Sequence, residues 1–334
     1  MSIEQEISKN RTSLMGVSML SIMLFHQSWI WGWNPFFAFF HFFGNWGVDI
    51  FFFVSGFGLF YSLKKDGNIL SFYKRRLIRM IPLCLVCGSF RYIVDHILPV
   101  GIGGYPTGVH EVSSDWMTIL SLDKWFVAVI LGYYLLMPLL YKSVGRYSSS
   151  ILWMGYVVAF LGALSLVPSW MVQYTIRFPS FCIGIITAAG MLKLPKVGKA
   201  IGFVAVFVAL TYKFVGMMGW FPIDDDYTYI ILSFGVVVLC LSIIRIASIP
   251  YVKNCKIGRL VNESICFIGR HTLEIYLLHE FVYRYTYRFL IDSPVPLFLQ
   301  MLIGMASSVV IACIFSQIVG RFKKVTSSVV KVYE

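Results

Sequence analysis

Hydrophobic residues recur along the chain in long runs separated by short polar segments, a pattern that predicts membrane-spanning helices. A helix needs about 20 consecutive apolar residues to cross a bilayer. The pattern therefore predicts an all-α fold, a polytopic bundle of about ten transmembrane helices within one integral-membrane domain. The predicted helices cover residues 12–31, 46–63, 81–100, 124–142, 151–168, 174–192, 200–219, 228–248, 265–288 and 297–320 of the domain 1–334.

The distribution of loop charges predicts how this bundle is oriented. If the N-terminus is cytoplasmic, nearly all loop lysines and arginines share its side, and the opposite side has only Lys124, Arg284 and Arg288. Cytoplasmic loops of membrane proteins carry such an excess of basic residues. Both termini are therefore predicted to be cytoplasmic, with residues 64–80 as a basic interfacial linker and 321–334 as a cytoplasmic tail. The N-terminal run lacks a small-residue cleavage site and is predicted to be a retained helix.

Composition agrees with a multi-pass membrane protein and excludes several other classes. Hydrophobic residues make up 58% and charged residues 13% of the chain, against about 25% charged residues in soluble domains. The net charge of +12 comes from clusters between apolar runs, so it indicates topology and not nucleic-acid binding. We predict no metal site, because Cys84 and Cys87 lack a second cysteine pair and the acidic residues 224–226 are typical of a solvated loop.

The first apolar run, residues 13–29, contains one ionisable side chain, His26. At about 1.5 Å per residue, His26 lies roughly 22 Å along the helix from Arg11, which places it inside the membrane. An ionisable residue at that depth is costly and indicates a functional site facing the bundle interior. The alternative is a neutral imidazole that hydrogen-bonds to a neighbouring helix, and the residues alone favour the two equally.

The second span opens with Asp49, which the predicted topology places on the same side of the membrane as His26. A carboxylate there could orient the imidazole and stabilise its charged form. The alternative is an acidic residue favoured by the dipole at the N-terminus of a helix, which needs no catalytic role.

The basic linker carries three arginines, Arg75, Arg76 and Arg79, at helical spacing. Guanidinium groups three and four residues apart share a helix face and bind phosphate through fixed pairs of donors. A nucleotide-type ligand is therefore one interpretation. The other, somewhat favoured by this stretch alone, is a juxtamembrane segment that binds anionic lipid.

Two later spans contain aromatic and ionisable residues. Trp125 begins one of them, and a tryptophan there is usually an anchor at the membrane interface, although its ring could also stack on a sugar. The ninth span contains Glu274, His279 and Glu280 in an otherwise apolar stretch. Such a density of ionisable residues in one helix predicts a polar cavity.

Five segments follow one another along the chain: Leu24-Phe25-His26, Gly47 to Phe57, Arg75 to Pro82, Trp125-Phe126 with Tyr133, Tyr134 and Pro138, and Gly269 with Thr272, Tyr276, Leu277 and His279. Taken in this order, they resemble the membrane acyltransferase-3 family over nearly the whole chain. One departure is Met15, which stands where the family usually has an arginine; Arg11, one turn earlier, is the expected substitute.

The resemblance implies a membrane O-acyltransferase of the bacterial plasma membrane that moves an acyl group, commonly acetyl, from acyl-CoA to a hydroxyl of an envelope carbohydrate. It implies no tightly bound cofactor, with acetyl-CoA or another acyl-CoA as the donor. His26 would be the general base, for which an unperturbed pKa near 6.5 is suitable, and Asp49 would orient it. A covalent acyl-histidine stays open. The implied donor-binding residues are Arg75, Arg76, Arg79 and Arg11, and the implied acceptor-binding residues are Trp125, Tyr133, Tyr276, His279 and Glu274.

Two other functions stay open at this point. In a proton-coupled secondary transporter, His26, Asp49, Glu274 and His279 could form a proton relay; the sequence lacks the inverted repeats that many transporters show. A scaffold or flippase partner in polymer export would leave these ionisable residues unexplained. Apart from acyl-CoA and the carbohydrate, the expected partner is the lipid bilayer, and the oligomeric state is open, with a homodimer among the alternatives.

Overall fold

Helices form every regular element in the part of the chain that the structure describes. The computed structural model describes residues 1–31, 44, 46–97, 115–217, 225–249 and 255–333, except for the side chains of residues 28, 29, 217, 225 and 322–333. The predicted all-α class is confirmed for these residues. In the acidic run 224–226, only the Asp226 side chain belongs to the described part.

The helices are labelled here in chain order. A five-residue helical turn, Asp115–Ile119, precedes the fourth of them. They are α1 (Ile3–Ile30), α2 (Trp46–Asp66), α3 (Ile69–Ile97), α4 (Trp125–Ala163), α5 (Ser169–Ile176), α6 (Phe178–Ala188), α7 (Lys196–Met217), α8 (Asp225–Ala247), α9 (Lys256–Arg270), α10 (Thr272–Leu290) and α11 (Leu297–Tyr333).

Six helices among the described residues are long and apolar enough to cross a membrane: α2, α3, α4, α7, α8 and α11. The protein is therefore a multi-pass membrane protein by length and composition of its helices. The number of ten spans and the cytoplasmic position of both termini stay predictions.

Four of the predicted spans have a different local structure. Most of the predicted spans 124–142 and 151–168 lies in a single helix, α4 (Trp125–Ala163), whose 39 residues include non-helical backbone at Tyr147. A straight helix of that length would be about 58 Å long, nearly twice the roughly 30 Å hydrocarbon core. The break at Tyr147 therefore divides α4 into two segments that correspond to the two predicted spans.

The predicted span 174–192 is replaced by two short helices, α5 and α6, which meet at Arg177. Proline at position 179 lies in the first turn of α6, where its missing N–H leaves no helical hydrogen bond unmade. The predicted span 265–288 is likewise divided at His271, between α9 and α10. The hydrophobicity of the sequence reveals neither the break at Arg177 nor the one at His271, because an average over many residues conceals the effect of one.

The chain divides into two compact units. The first unit is Met1–Ile22, Phe42–Phe72 and Val129–Arg270, and the second is Met23–His41, Tyr73–Ala128 and His271–Glu334. Each unit has its own packing and is described separately.

Glycines allow helices of the first unit to approach closely. A β-carbon at Gly56 of α2 would overlap the backbone of Phe181, and one at Gly184 of α6 would overlap the backbone of Phe53. In the same way, Gly269 of α9 lies against the carbonyl oxygen of Thr12 in α1. Small residues at such crossings are the usual means by which membrane helices pack, since lipid leaves little hydrophobic drive for association.

Aromatic rings and buried amides form the core of the second unit. The ring of Phe90 on α3 lies 5.6 Å from that of Phe281 on α10 and 4.8 Å from that of Phe315 on α11. At the end of α1, the Gln27 amide donates to the Met301 carbonyl oxygen at 2.8 Å. These contacts fix the C-terminal turns of α1 against α10 and α11, which is where the candidate site lies.

The α1–α9 crossing gives the first testable prediction. Gly269→Ala should lower the free energy of unfolding by roughly 1–3 kcal/mol, since the added methyl group has to displace backbone atoms. The matched control is Gly145→Ala in α4, where an added β-carbon meets nothing within 4 Å, and which should be neutral or slightly stabilising. Thermal unfolding of both purified variants measures the difference. Equal stability would show that α1 and α9 do not pack this closely.

Candidate active site

Two histidines in contact form the centre of the candidate site in the second unit. His26 lies near the end of α1 with 14% of its side chain exposed, and His279 of α10 is fully buried. Nδ1 of His26 lies 3.0 Å from Nε2 of His279. The structure thus brings together two of the residues that the sequence analysis named.

Backbone contacts determine which nitrogen of each ring carries a proton. Nδ1 of His279 lies 3.0 Å from the carbonyl oxygen of Ile275 and 2.9 Å from that of Tyr276. Carbonyl oxygens only accept hydrogen bonds, so Nδ1 of His279 carries the proton and Nε2 of the neutral ring has the lone pair. His26 must then donate its Nδ1–H to His279. This assignment leaves Nε2 of His26 as the nitrogen that can gain or lose a proton.

Glu280 provides the carboxylate that faces this nitrogen. Its Oε1 lies 3.0 Å from Nε2 of His26, and its Oε2 accepts a hydrogen bond from the Lys124 ammonium group. With the carboxylate ionised, the 3.0 Å contact is a hydrogen bond when Nε2 of His26 is protonated, which is the state of a base that has just taken a proton. The arrangement can therefore accept one proton and stabilise the resulting charge.

The sequence of α10 explains why His279 and Glu280 lie beside each other at this site. The buried residues Ile275, Leu278 and Phe281 place one face of the helix in the core of the second unit. Neighbouring residues on a helix point about 100° apart, so a His-Glu pair at the edge of the apolar face directs one side chain inward and the next toward the flank. Glu280 is accordingly more exposed than His279, at 22%.

A buried ion pair lies next to Lys124. Arg91 of α3 donates to both carboxylate oxygens of Asp123, each at 2.8 Å. It also donates to the Ser121 hydroxyl at 3.3 Å, and Ser121 donates to the carbonyl oxygen of Cys84 at 3.0 Å. These bonds attach the segment before α4 to α3.

His26, His279 and Glu280 are also a candidate set of metal ligands, since one donor atom from each lies within 4.8 Å of the others. We interpret the cluster as an acid–base site, because Lys124 already provides a positive charge for Glu280. A divalent cation on the histidines would add two further charges beside that ammonium group.

Asp49 belongs to the first unit, where its partners are Arg177 and Ser180. One carboxylate oxygen accepts from the Arg177 guanidinium and the other from the Ser180 hydroxyl at 3.0 Å. Asp49 and Arg177 are both buried, and the guanidinium lies 3.4 Å from the ring centre of Tyr229. These are the contacts of a buried ion pair between α2 and the α5–α6 break; a role of Asp49 in orienting His26 stays a prediction.

The predicted acceptor-binding residues lie in different surroundings. In the second unit, the ring of Tyr276 is 5.8 Å from that of His279, Trp125 is half-buried beside Phe126, and Glu274 accepts from Ser316 at 3.2 Å. In the first unit, the hydroxyl of Tyr133 donates to the carbonyl oxygen of Tyr174 at 2.7 Å within a cluster of phenylalanines. Of these predicted residues, Tyr276 has its ring next to the histidine pair.

The predicted donor-binding arginines lie on the surface of α3. Arg75 and Arg79 are exposed and Arg76 is half-buried, all in the second unit. Arg11 lies in the first unit, where its guanidinium packs against Gly58 of α2. The helical spacing that groups Arg75, Arg76 and Arg79 is present in the structure.

Four charged residues of these two sites had no assigned role in the sequence analysis: Glu280, Lys124, Arg91 and Arg177. Arg91 and Arg177 lie within predicted membrane spans, and ionisable residues at such positions usually have a partner and a function. That signal was present for both arginines. For Lys124 the charge distribution indicated only an extracytoplasmic loop.

Comparisons with known proteins identify the family. The acyltransferase domain of the acyltransferase 3 family matches residues 14–317, and the chain belongs to this family. Relatives from Staphylococcus aureus strains COL and MSSA476, each named "Putative O-acetyltransferase", are 22% identical over 92% of the chain. The chain spans about half the length of these curated relatives, 55%. No solved structure matches.

The Asp49–Arg177 pair gives the second testable prediction. Asp49→Asn should destabilise the protein by about 3–5 kcal/mol, because it leaves the Arg177 charge buried without its carboxylate. Ser180→Ala, which removes a neutral donor from the same carboxylate, should cost only about 1 kcal/mol. Unfolding measured on both variants distinguishes a structural pair from a catalytic one. Wild-type stability of Asp49→Asn with lost turnover would assign Asp49 to the reaction instead.

Proposed function

We propose that the protein is a membrane O-acyltransferase that transfers an acyl group from acyl-CoA to a hydroxyl of a cell-surface carbohydrate. The observation that supports this most is the contact of His26 with both His279 and Glu280. These contacts fix the tautomer of the His26 imidazole and place a negative charge beside its Nε2. Both features suit a general base. Membership of the acyltransferase 3 family supports this function over a proton-coupled transporter.

The proton follows a short path in this mechanism. Nε2 of His26 takes the proton of the acceptor hydroxyl, and the alkoxide oxygen attacks the carbonyl carbon of the thioester. The carbon–sulfur bond then breaks, and the leaving thiolate takes a proton from the imidazolium. His26 returns to its neutral form, so each turnover leaves the enzyme unchanged. An acyl-histidine intermediate is the variant that this scheme does not need.

Glu280 and His279 have separate roles in this step. Glu280 stabilises the imidazolium that forms, through the 3.0 Å contact with Nε2. His279 accepts the Nδ1–H and so keeps the lone pair of neutral His26 on Nε2. Carboxylates also stabilise imidazolium ions in other acid–base sites, where they bind the ring nitrogen that does not react; here Glu280 lies at the reacting nitrogen itself.

The acyl donor and the carbohydrate acceptor are inferred from the names of the relatives and from the chemistry of the residues that would bind them. The names of the relatives favour acetyl as the acyl group, and we infer acetyl-CoA as the donor, with its phosphates on Arg75, Arg76 and Arg79 and with Arg11 as a further candidate. Guanidinium groups suit phosphate because they offer paired donors. The acceptor would bind next to Tyr276 and Trp125, whose rings can lie against a sugar.

This function requires access from both sides of a membrane. We infer that the protein lies in the bacterial plasma membrane with both termini in the cytoplasm. Acyl-CoA would then reach the basic face of α3 from the cytoplasm, and the carbohydrate would reach His26 from outside. The excess of basic residues on one side of the predicted topology supports this orientation.

The third prediction tests the base. His26→Gln should lower acetyl transfer by about 10²–10⁴-fold, the usual contribution of a proton-transfer group. His279→Gln should cause a smaller loss, since it disturbs the tautomer and leaves the base in place. The assay uses purified protein in liposomes, radiolabelled acetyl-CoA and envelope glycan from cells that lack the protein.

His96→Gln is the matched control for this experiment. His96 is exposed near the end of α3, where its Nδ1 contacts the carbonyl oxygen of Tyr92 in the same helix, and its variant should keep wild-type transfer. Wild-type transfer by His26→Gln would exclude His26 as the base. Proton-coupled solute flux without any acetyl transfer would support the transporter instead.

A further inference from the structure

The segment that precedes α4 links two oppositely charged pairs through adjacent residues. Asp123 accepts both hydrogen bonds of the buried Arg91 guanidinium, and Lys124, the next residue, pairs with Glu280. The side chains of Arg91, Asp123 and Lys124 are all nearly inaccessible. The ammonium group therefore reaches Glu280 from a backbone position that the Arg91–Asp123 pair fixes.

Further contacts attach this segment to α3. The Arg91 guanidinium also donates to the carbonyl oxygen of Thr118 at 3.3 Å. Ser121 has a positive φ of 57°, a conformation that costs energy for a residue other than glycine. A β-carbon at Gly88 would overlap the carbonyl oxygens of Thr118 and Ile119, so the glycine permits close contact. A lysine side chain is flexible, and a fixed backbone is the means to hold it in one place.

Glu280 divides its two oxygens between a fixed cation and a titrating group. Oε2 pairs with Lys124, and Oε1 faces Nε2 of His26. A carboxylate shared with an ammonium group attracts an imidazolium less than an unshared one does. If Glu280 paired with His26 and not with Lys124, the imidazole would stay protonated over a wider range of pH. It would then lack the lone pair that a base needs.

Among the residues that the structure describes, the charged and titratable groups around His26 balance in this arrangement. From α10 these are Glu280 and His279, with Tyr276 and Tyr283 beside the His279 ring. From the segment before α4 come Lys124 and Asp123, and from α3 comes Arg91. Arg91 and Asp123 cancel, as do Lys124 and Glu280, so the cluster is neutral when both histidines are neutral and gains one charge when His26 takes a proton.

We propose that Arg91 and Asp123 are positioning residues that keep the Lys124 ammonium group paired with Glu280. Lys124 thereby weakens the electrostatic attraction between Glu280 and the His26 imidazolium. This proposal rests on the proposed function, since it concerns how His26 is kept available as a base. It assigns Lys124 the role of tuning the pH range in which the enzyme works.

The fourth prediction compares the pH dependence of kcat in Lys124→Met and Lys124→Arg. In Lys124→Met, Glu280 loses the ammonium group, so its charge attracts the His26 imidazolium more strongly. The acidic limb of the pH profile of kcat should therefore move to higher pH by about one unit. The alkaline plateau and the KM for acetyl-CoA should change little. Lys124→Arg keeps a cation on Glu280 and should keep the wild-type limb. The double variant Arg91→Gln, Asp123→Asn removes the ion pair that positions Lys124 without changing the net charge, and it should move the limb in the same direction by less.

The outcomes separate this proposal from the proposed function. An unchanged acidic limb in Lys124→Met, or a uniform loss of rate at every pH, would overturn the role of Lys124 while wild-type and His26→Gln rates still support the function. Absence of acetyl transfer by the wild-type protein would overturn the function itself. A shifted limb in both Lys124→Met and Lys124→Arg would show that geometry matters and charge does not, which also contradicts the proposal.

An independent observation concerns α9, which separates polar and apolar side chains more clearly than its neighbours. The side chains of Ile257, Leu260 and Val261 are 75%, 63% and 50% exposed. Their spacing of three and four residues places them on one face of the helix. A second face, about 110° around the helix, carries Lys256, Arg259, Glu263 and Arg270.

One flank of α9 already has a partner within the first unit. Ser13 of α1 contacts the sulfur of Cys266 at 3.1 Å and donates to Asn262 at 3.5 Å. Gly269 lies against Thr12, and Gly16 lies against the backbone of Ile265. The exposed apolar face therefore points away from α1, and the helix presents an apolar face, a basic face and a packed flank in three directions.

We infer that α9 lies in the plane of the membrane surface, with Ile257, Leu260 and Val261 in the acyl region and its basic residues at anionic headgroups. At 15 residues and with charges on one side, α9 is too short and too polar to cross a bilayer. A polar face with lysine and arginine next to an aliphatic face is characteristic of helices that bind an anionic lipid surface. The three basic residues against one acidic residue make phosphatidylglycerol-type lipid the complementary partner.

The fifth prediction uses photo-crosslinking in nanodiscs that contain the full chain. A phosphatidylglycerol probe with a diazirine on its acyl chain should label the peptide of residues 257–261 at least severalfold more than a phosphatidylcholine probe with the same group. The double variant Lys256→Gln, Arg259→Gln should remove that preference. Arg288→Gln, an exposed basic residue of α10, is the matched control and should leave it intact.

Two results would overturn the lipid assignment. Equal labelling by both probes would exclude a preference for anionic lipid. Crosslinks from residues 257–261 to a second copy of the chain, in place of lipid, would identify this face as a subunit interface.

Discussion

The hydrogen bond between Nδ1 of His26 and Nε2 of His279 is the interaction on which the candidate site depends. Its direction is set by the backbone of α10, because two carbonyl oxygens accept the only proton that a neutral His279 carries. From that constraint follow the tautomer of neutral His26 and the nitrogen that the proposed mechanism uses as the base, Nε2, which faces Glu280. A helix backbone thus orients an acid–base group on another helix through one buried imidazole.

Three buried ion pairs among the described residues follow a common rule. Arg91 pairs with Asp123, Lys124 with Glu280 and Arg177 with Asp49, each a basic group with a carboxylate. An isolated charge within a membrane is costly, and pairing is the usual way in which such residues are retained. The His26 imidazole differs from these groups, since the pairs balance without it. It can therefore change its charge in a cluster that is otherwise neutral, as the proposed reaction requires.

The sequence predicted the helical class and the family, and it singled out His26 and His279, which the structure places in contact, because long apolar runs and ionisable residues within them are local signals. It did not predict the break at Arg177, since a hydrophobicity window hides a single arginine and a proline in the first turn of α6. Nor did it indicate that Glu280 faces His26. That contact joins residues 254 positions apart, and Asp49 was the carboxylate nearer in sequence. Pairings between distant helices depend on tertiary packing, which no local pattern contains.

Solid-state ¹⁵N NMR of the histidine side chains in bilayers tests the central claim most directly. The His26 signals are assigned by their loss in His26→Gln. The account predicts that neutral His26 carries its proton on Nδ1, with the lone pair on Nε2, and that Nε2 becomes protonated as the pH falls. A neutral His26 with its proton on Nε2 would contradict the assignment of the base, and with it the mechanism.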